Sequence, residues 1–263
     1  MAFGGEDMAR DDRKQLIMSM LEDRGSVEVE MLSQQLGVSK MTVHRDLDDL
    51  EAEGVLRKIR GGATIEAGIQ FESDFRFRMR HDSGAKDAVA RKALELIEPG
   101  MTIMLADGTT AAALGAMLPE KRPLTVITNN AATVDGLRSE ASINLISPGG
   151  RYSGKYNGYF GVLTEQSLAS LRGDIAFITA PAVSGSQVFH MDGDVVRTKR
   201  AMLRAAAKSC LLVLHRQFDR VALHLFAELS EFDWIIVDQL PEQRIVDELS
   251  GRGIKLLVAD KQS

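Results

Sequence analysis

From residue 101 onward the chain repeats one pattern, a short apolar run followed, in most cases, by a stretch whose apolar residues have helical spacing. The runs are 101–106, 124–128, 143–147, 175–179, 210–214, 234–237 and 254–258, each four to six residues long. Predominantly apolar runs of this length suit strands buried on both faces, because a strand with one wetted face would alternate apolar and polar residues. Strands buried on both faces need helices on both faces, and parallel neighbours need a crossover, which the helical intervals supply. An amphipathic helix over 88–97, ended by Pro99-Gly100, opens the series. The pattern predicts a Rossmann-like, mostly parallel α/β domain over 85–263.

In such sheets ligands sit outside the carboxyl ends of the strands. The first strand ends in Asp107-Gly108-Thr109-Thr110 and a helix follows. Glycine lets a ligand approach the backbone, two hydroxyls can donate, and a helix N-terminus favours an anion, so the loop suits a phosphate. The second strand ends in Thr128-Asn129-Asn130 and the third in Ser147-Pro148-Gly149-Gly150-Arg151. Each loop alone is also an ordinary cap or turn; three in succession point to a small phosphorylated ligand. The fingerprints G-x-G-x-x-G and G-x-x-x-x-G-K-[ST] do not occur, so no dinucleotide or P-loop cofactor is expected.

Ahead of this domain lies a different pattern. Residues 1–9 read as a disordered lead. Leu16, Ile17, Met20 and Leu21 share one face of a helix begun at Asp11 or Asp12 and ended near Gly25. A second helix carries Val29, Leu32 and Leu36 and stops at Gly37. Ser39 then caps a third, in which Val43, Leu47 and Leu50 recur at i, i+4, i+7 before Gly54. Helix, glycine turn and capped helix outline a helix-turn-helix. With the apolar positions inward, Lys40, Met41, Thr42, His44 and Arg45 project from the first two turns, where such helices meet base edges in the major groove. Arginine grips guanine O6 and N7, while threonine offers a hydroxyl and a methyl. Asp46, Asp48, Asp49, Glu51 and Glu53 come later and must point away from DNA. Residues 55–65, turning at Gly61-Gly62, predict a β-hairpin wing with Arg57, Lys58 and Arg60 near its tip. The plain alternative is a three-helix module with solvated cations; the ordered set of Ser39, Thr42, Arg45 and basic wing favours DNA.

The composition sets limits on these readings. The chain has 263 residues, 44% hydrophobic and 26% charged, as in ordinary globular proteins. One cysteine makes neither an internal disulfide nor a structural zinc site. No apolar run approaches the ~20 residues of a membrane helix, and no signal segment opens the chain, so a cytoplasmic protein is expected. A net charge of −5 argues against nucleic acid unless the cations are gathered on one surface, as the third helix and wing suggest.

The stretch from Val38 to Leu47 (VSKMTVHRDL), with Leu50-Glu51-Ala52-Glu53-Gly54 and Arg60-Gly61-Gly62-Ala63, resembles the winged helix-turn-helix of DeoR-type bacterial transcription regulators. That family usually has two consecutive arginines where this chain has His44-Arg45. The strand-end loops are similar to the family's carboxy-terminal sensor, which resembles sugar-phosphate isomerases in fold. The two resemblances cover about Arg13 to Asp260. They imply that Gly108, Thr109, Thr110, Asn129, Gly149 and Gly150 line an effector site with Lys86 close by, and that the effector is a sugar phosphate. Two departures bear on the ligand. Ala106-Asp107-Gly108 stands where Asp-Ser-Gly is common. Leu214-His215-Arg216-Gln217-Phe218 replaces Asp-x-Ser-Lys-Phe, leaving Arg216 as a substitute cation.

The expected organisation is a lead over 1–9, a winged helix-turn-helix over 10–66, a linker over 67–84 and a sensor over 85–263. Phe71, Phe75 and Phe77 alternate with Arg76, Arg78 and Arg80, as in an edge strand or a linker lying over the second domain; Glu72, Phe75 and Arg78 resemble the family's inter-domain signature. Tyr152, Tyr156 and Tyr159 fall in a glycine-containing segment that reads equally as a lid or oligomer contact and as a surface loop. The five histidines are scattered, although His190 follows a strand end; Cys210 reads as core, and no metal site is expected. The expected function is a ligand-responsive regulator, a repressor, that binds double-stranded operator DNA as a homo-oligomer and responds to a phosphorylated sugar or polyol. The alternative is a sugar-phosphate isomerase or deaminase carrying an added module, with Asp107 as its base.

Overall fold

In a computed structural model, residues 10–52, 56–64, 75–80 and 82–259 are described, and the chain divides into two units between residues 81 and 82. The expectations for the lead over 1–9, for Glu53, Gly54, Val55, Ile65, Phe71 and Glu72, and for His81 lie outside the described residues.

The first unit runs α1 (Arg10–Arg24), β1 (Ser26–Glu28), α2 (Val29–Leu36), α3 (Lys40–Ala52), β2 (Arg57–Ile59), β3 (Gly62–Thr64) and α4 (Phe75–Arg80). Ile17, Met18, Leu21, Leu32, Leu36, Val43, Leu47 and Leu50 form its core with Val27, Leu56 and Ala63. The predicted face of α1 is rotated by one position, since Met18 is buried while Leu16 is 41% exposed. Apolar residues at 16, 17, 18, 20 and 21 leave the rotation open to periodicity. Arg13, one turn before Ile17, grips Asp46 on α3 and sets it.

The hairpin of β2 and β3 turns at Arg60-Gly61, with Ile59 opposite Gly62. Sequence reasoning missed β1, which pairs antiparallel with β3 so that Val27 faces Ala63. Its close approach requires Gly62, where a Cβ would lie 2.0 Å from the Val27 carbonyl oxygen. Residues 75–80, read above as edge strand or linker, are helical. A six-residue alternation of arginine with phenylalanine and methionine is too short to decide the period, and these unbranched or γ-branched side chains tolerate a helix.

The second unit runs α5 (Ser83–Leu94), β4 (Thr102–Leu105), α6 (Thr109–Met117), β5 (Leu124–Thr128), α7 (Ala131–Leu137), β6 (Ile143–Ile146), β7 (Arg151–Ser153), β8 (Gly158–Phe160), α8 (Val162–Ala169), β9 (Gly173–Thr179), β10 (Ala182–Ser184), β11 (Gln187–His190), α9 (Gly193–Ala205), β12 (Ala206–Val213), β13 (His224–Glu228), β14 (Trp234–Val237), α10 (Gln243–Gly251) and β15 (Leu256–Val258). The seven apolar runs supply the seven strands of one sheet, ordered β15-β14-β12-β9-β4-β5-β6, and every pairing in it is parallel. Met104, Ala176, Ile178, Leu211, Val213 and Ile235 face one core layer. Ile103, Leu105, Ile175, Phe177, Leu212 and Ile236 face the other. Burial on both faces is why the runs are predominantly apolar. Cys210 belongs to the second layer, and burial pushes its thiol well above the usual range.

The chain builds outward from β4 through β5 to β6, then returns to the other side of β4 with β9 and continues to β15. The direction of winding therefore reverses between β4 and β9, and the carboxyl ends of these two strands are where sheets of this kind form a ligand crevice. A three-stranded antiparallel sheet, β10-β11-β13, and the hairpin β7-β8 complete the unit. The tyrosine-bearing segment is this hairpin, with Tyr152 opposite Tyr159. Among the described residues, no helix is long and apolar enough to cross a membrane.

Candidate nucleic-acid interface and small-molecule site

The α3 helix starts where Ser39 Oγ accepts the Thr42 N–H at 3.2 Å; the same oxygen lies 3.0 Å from Thr42 Oγ1. Such a bond satisfies one of the donors that a helix N-terminus leaves open. Val43, Asp46, Leu47 and Leu50 turn inward, while Lys40, Met41, His44 and Arg45 stay exposed. The fate of the acidic residues explains how an acidic helix can present a basic face. Asp46, almost fully buried, accepts Arg13 Nε at 2.5 Å and Nη2 at 2.9 Å, and this bond holds the Arg13 guanidinium above its usual range. Asp49 pairs with Lys14 at 3.1 Å and with Arg10. Burial alone would raise the Asp49 carboxyl, but hydrogen bonds from Lys14 and Arg10 outweigh it and hold it below the usual range. Asp48 pairs with Lys58, and Glu51 accepts the Lys58 N–H at 2.7 Å.

The predicted cations therefore divide. Lys58 is bound to the acidic side of α3, and Lys40 pairs with Glu30. Arg57 and Arg60 are exposed on the hairpin. Arg45 and Arg60 form no ion pair among the described residues. Cations of α1 and the wing neutralise Asp46, Asp48 and Asp49, and the first two turns are left with His44 and Arg45 outward.

In the second unit, the crevice between β4 and β9 holds charge that sequence reasoning only half found. Asp107, two residues beyond the end of β4, is buried with its Oδ2 3.4 Å from Lys199 Nζ, and both side chains are almost fully buried. Lys199 also donates to the Thr179 carbonyl at 2.7 Å and to Thr179 Oγ1 at 3.1 Å. Thr179, the last residue of β9, in turn donates from Oγ1 to the Asp107 carbonyl at 2.8 Å. A buried charge is tolerated when paired and hydrogen-bonded, yet Asp107 Oδ1 has no hydrogen-bond partner among the described residues. Gly108 caps α6 at φ +113, and a Cβ there would lie 2.4 Å from Thr179 Oγ1. Thr109 and Thr110, both buried, form the first turn of α6.

The second loop joins the first through Asn130, which accepts the Ala132 N–H at the head of α7 and donates to the Gly108 carbonyl at 3.0 Å. Asn129 donates to the Tyr159 carbonyl at 3.1 Å, and its buried Oδ1 has no hydrogen-bond partner among the described residues. At the third loop, the Gly149 carbonyl accepts from Thr164 Oγ1 at 2.7 Å, and Gly150 packs so tightly that a Cβ would meet the same oxygen. His190 is buried, accepts the Asp192 N–H at 3.1 Å, and has its ring 5.5 Å from that of Tyr156.

Asp107 and Gly108 are thus brought together with Asn130, Thr179 and Lys199, and the second loop is bonded to the hairpin β7-β8. Lys86 is buried on α5, which packs against α6. Arg216 is engaged with Asp82 at the head of α5, at 2.6 Å. Leu214 is core and Gln217 accepts the Leu214 N–H at 2.8 Å, so neither adds charge. The cation paired with Asp107 is Lys199, which sequence reasoning missed along with Thr179 and Thr164. On an amphipathic helix a lysine reads as solvent-facing, and only the arrival of α9 over β9 buries it. Asn130 was legible as half of the helix-opening pair.

The family model for the DeoR-like helix-turn-helix domain matches residues 13–67, and that for the DeoR C-terminal sensor domain matches 81–239. The chain belongs to the DeoR family of transcriptional regulators. An uncharacterized HTH-type transcriptional regulator of Escherichia coli, YgbI, is 30% identical over 95% of this chain and 98% of its own length. The glycerol-3-phosphate regulon repressor of the same organism is 26% identical over 95% and 99%. A ribose 5-phosphate isomerase from Methanocaldococcus jannaschii is similar over 51% of this chain and 53% of its own, with 20% identity and a TM-score of 0.36. Membership of the DeoR family makes the chain a DNA-binding regulator and decides against the enzyme alternative.

Proposed function

We propose that the protein is a repressor of a carbohydrate or polyol operon, and that a phosphorylated sugar or polyol bound at the β4/β9 crevice sets its operator affinity. The observation that carries the effector half is the buried Asp107–Lys199 pair at the point where the winding reverses, with Asp107 Oδ1 left unbonded among the described residues beside the first turn of α6. An acceptor without a donor suits a ligand hydroxyl, and a helix N-terminus suits a phosphate. Asp107, Gly108, Thr109, Thr110, Asn129, Gly149 and Gly150 line that site, with Lys199 and Lys86 as cations; Arg216 supports it from the head of α5. The relative named as a glycerol-3-phosphate regulon repressor is consistent with a phosphorylated polyol as effector.

On the DNA side, His44 and Arg45 face the bases, Arg57 and Arg60 the backbone, and Ser39, Lys40, Thr42 and Lys58 hold the surface in shape. The protein acts in the cytoplasm as a homo-oligomer. Two copies place two α3 helices on half-sites about 34 Å apart, or a multiple of that. A coupling of ~1–3 kcal/mol between the sites changes operator affinity roughly 5–150-fold, enough for a switch.

The test is a thermal-shift screen against phosphorylated sugars and polyols, followed by titration of the hit into the protein–DNA complex. A cognate ligand at ~100 Kd stabilises the protein by about 2.7 kcal/mol. The double variant Thr109→Val, Thr110→Val is expected to keep its DNA affinity and lose the response. A double variant that still responds would remove these threonines from the site.

A further inference from the structure

We propose that Met41 reads the C5-methyl group of a thymine in the operator, a contact that rests on α3 being the reading helix. Met41 is the second residue of α3 and is 65% exposed, the most of any large apolar side chain described in the first unit. A lone exposed apolar residue is ordinary on a protein surface; what singles out Met41 is the engagement of its neighbours. Lys40 is drawn to Glu30, and Thr42 Oγ1 lies 3.0 Å from Ser39 Oγ. Asp46, Asp48 and Asp49 are each tied to a cation. The outward side of the first two turns is left to Met41, His44 and Arg45, spaced i, i+3, i+4 and so adjacent on the helix surface.

These three divide by chemistry. His44 and Arg45 offer N–H donors, suited to acceptors such as guanine O6 and N7. The major groove also presents one apolar group, the thymine methyl, and within this trio only Met41 has an apolar surface to meet it. A thioether chain is unbranched and polarizable, makes little hydrogen-bond demand, and adapts to the shape it meets. Its place at the N-terminal end of α3 is where reading helices contact base edges. The core makes no use of it, because α3 buries Val43, Asp46, Leu47 and Leu50 instead.

Duplexes enriched from a random pool by the full chain supply the probe. Thymines in an enriched site are replaced one at a time by deoxyuridine, which lacks only the methyl, and affinity is read by fluorescence anisotropy. The parent is expected to lose about fourfold at one thymine per half-site, the equivalent of one methyl taken from water at about 0.8 kcal/mol. Met41→Ala and Met41→Gln should each bind the thymine and uracil duplexes alike. No position at which uracil weakens the parent, or an equal loss in both variants, would overturn the contact. Arg45→Ala separates the two levels of the argument. If that variant loses binding while the uracil series is flat, only the Met41 contact fails. If it binds as tightly and selectively as the parent, or if the pool yields no enriched site, α3 is not the reading helix and both fail.

Discussion

Asp46 stands next to Arg45 in sequence, yet the two residues have opposite environments. One is nearly excluded from solvent and holds α1 through a two-pronged bond to Arg13; the other is exposed. Breaking a buried pair from one side strands the other charge, which typically costs about 3–5 kcal/mol. Arg13→Met is therefore expected to destabilise the first unit by roughly that much, while Arg13→Met with Asp46→Leu recovers most of the loss. Denaturant unfolding of the two variants checks this, and equal stability of both would show that Asp46 is not held by Arg13. The bond was not legible in the sequence, because it joins side chains 33 positions apart. What the sequence did carry was the helical offset that turns Asp46 inward with Val43 and Leu50.

At the scale of elements, the crevice depends on how closely α6 begins behind β4. Gly108 adopts φ +113, a region that L-residues avoid, and has the Thr179 hydroxyl where a Cβ would go. Gly108→Ala is expected to lower the melting temperature, since strain of this kind costs about 1–3 kcal/mol, and to abolish the ligand-induced shift. Adding Thr179→Ala relieves the clash but not the backbone strain, so recovery should be partial; full recovery would assign the whole effect to the hydroxyl. The seven strands were legible because each is covered on both faces and so lacks the polar alternation of an exposed strand. The elements β7, β8, β10 and β11 are only three or four residues long, too short for a period to register, and were missed for that reason. On β1 the same limit applies, since three residues become a strand only by pairing with the wing.

For the whole molecule, each unit has its own apolar core, with Ile17 to Ala63 in one and Val89 to Ala259 in the other. Residues 82–263 alone are therefore expected to unfold in one cooperative transition and to keep the ligand shift of the full chain while losing DNA binding. Calorimetry with and without ligand tests this; a fragment that fails to fold would show that the second unit depends on the first for stability, and one that folds without the shift would show that ligand binding needs the first unit. The net charge of −5 likewise belongs to the molecule and not to its DNA-facing surface. A negative remainder weakens attachment to random DNA, where phosphate contacts supply essentially all the affinity. By itself the sequence determined the two folding patterns, the strand-end loops and the capped helix, because spacing along a chain encodes which face of each element is apolar. Tertiary structure alone decided that Asp107 meets Lys199 and that Asp46, Asp48 and Asp49 are neutralised from α1 and the wing. A charge pair between distant elements leaves no period in the sequence, and its partners are chosen only when packing brings them within a few ångströms.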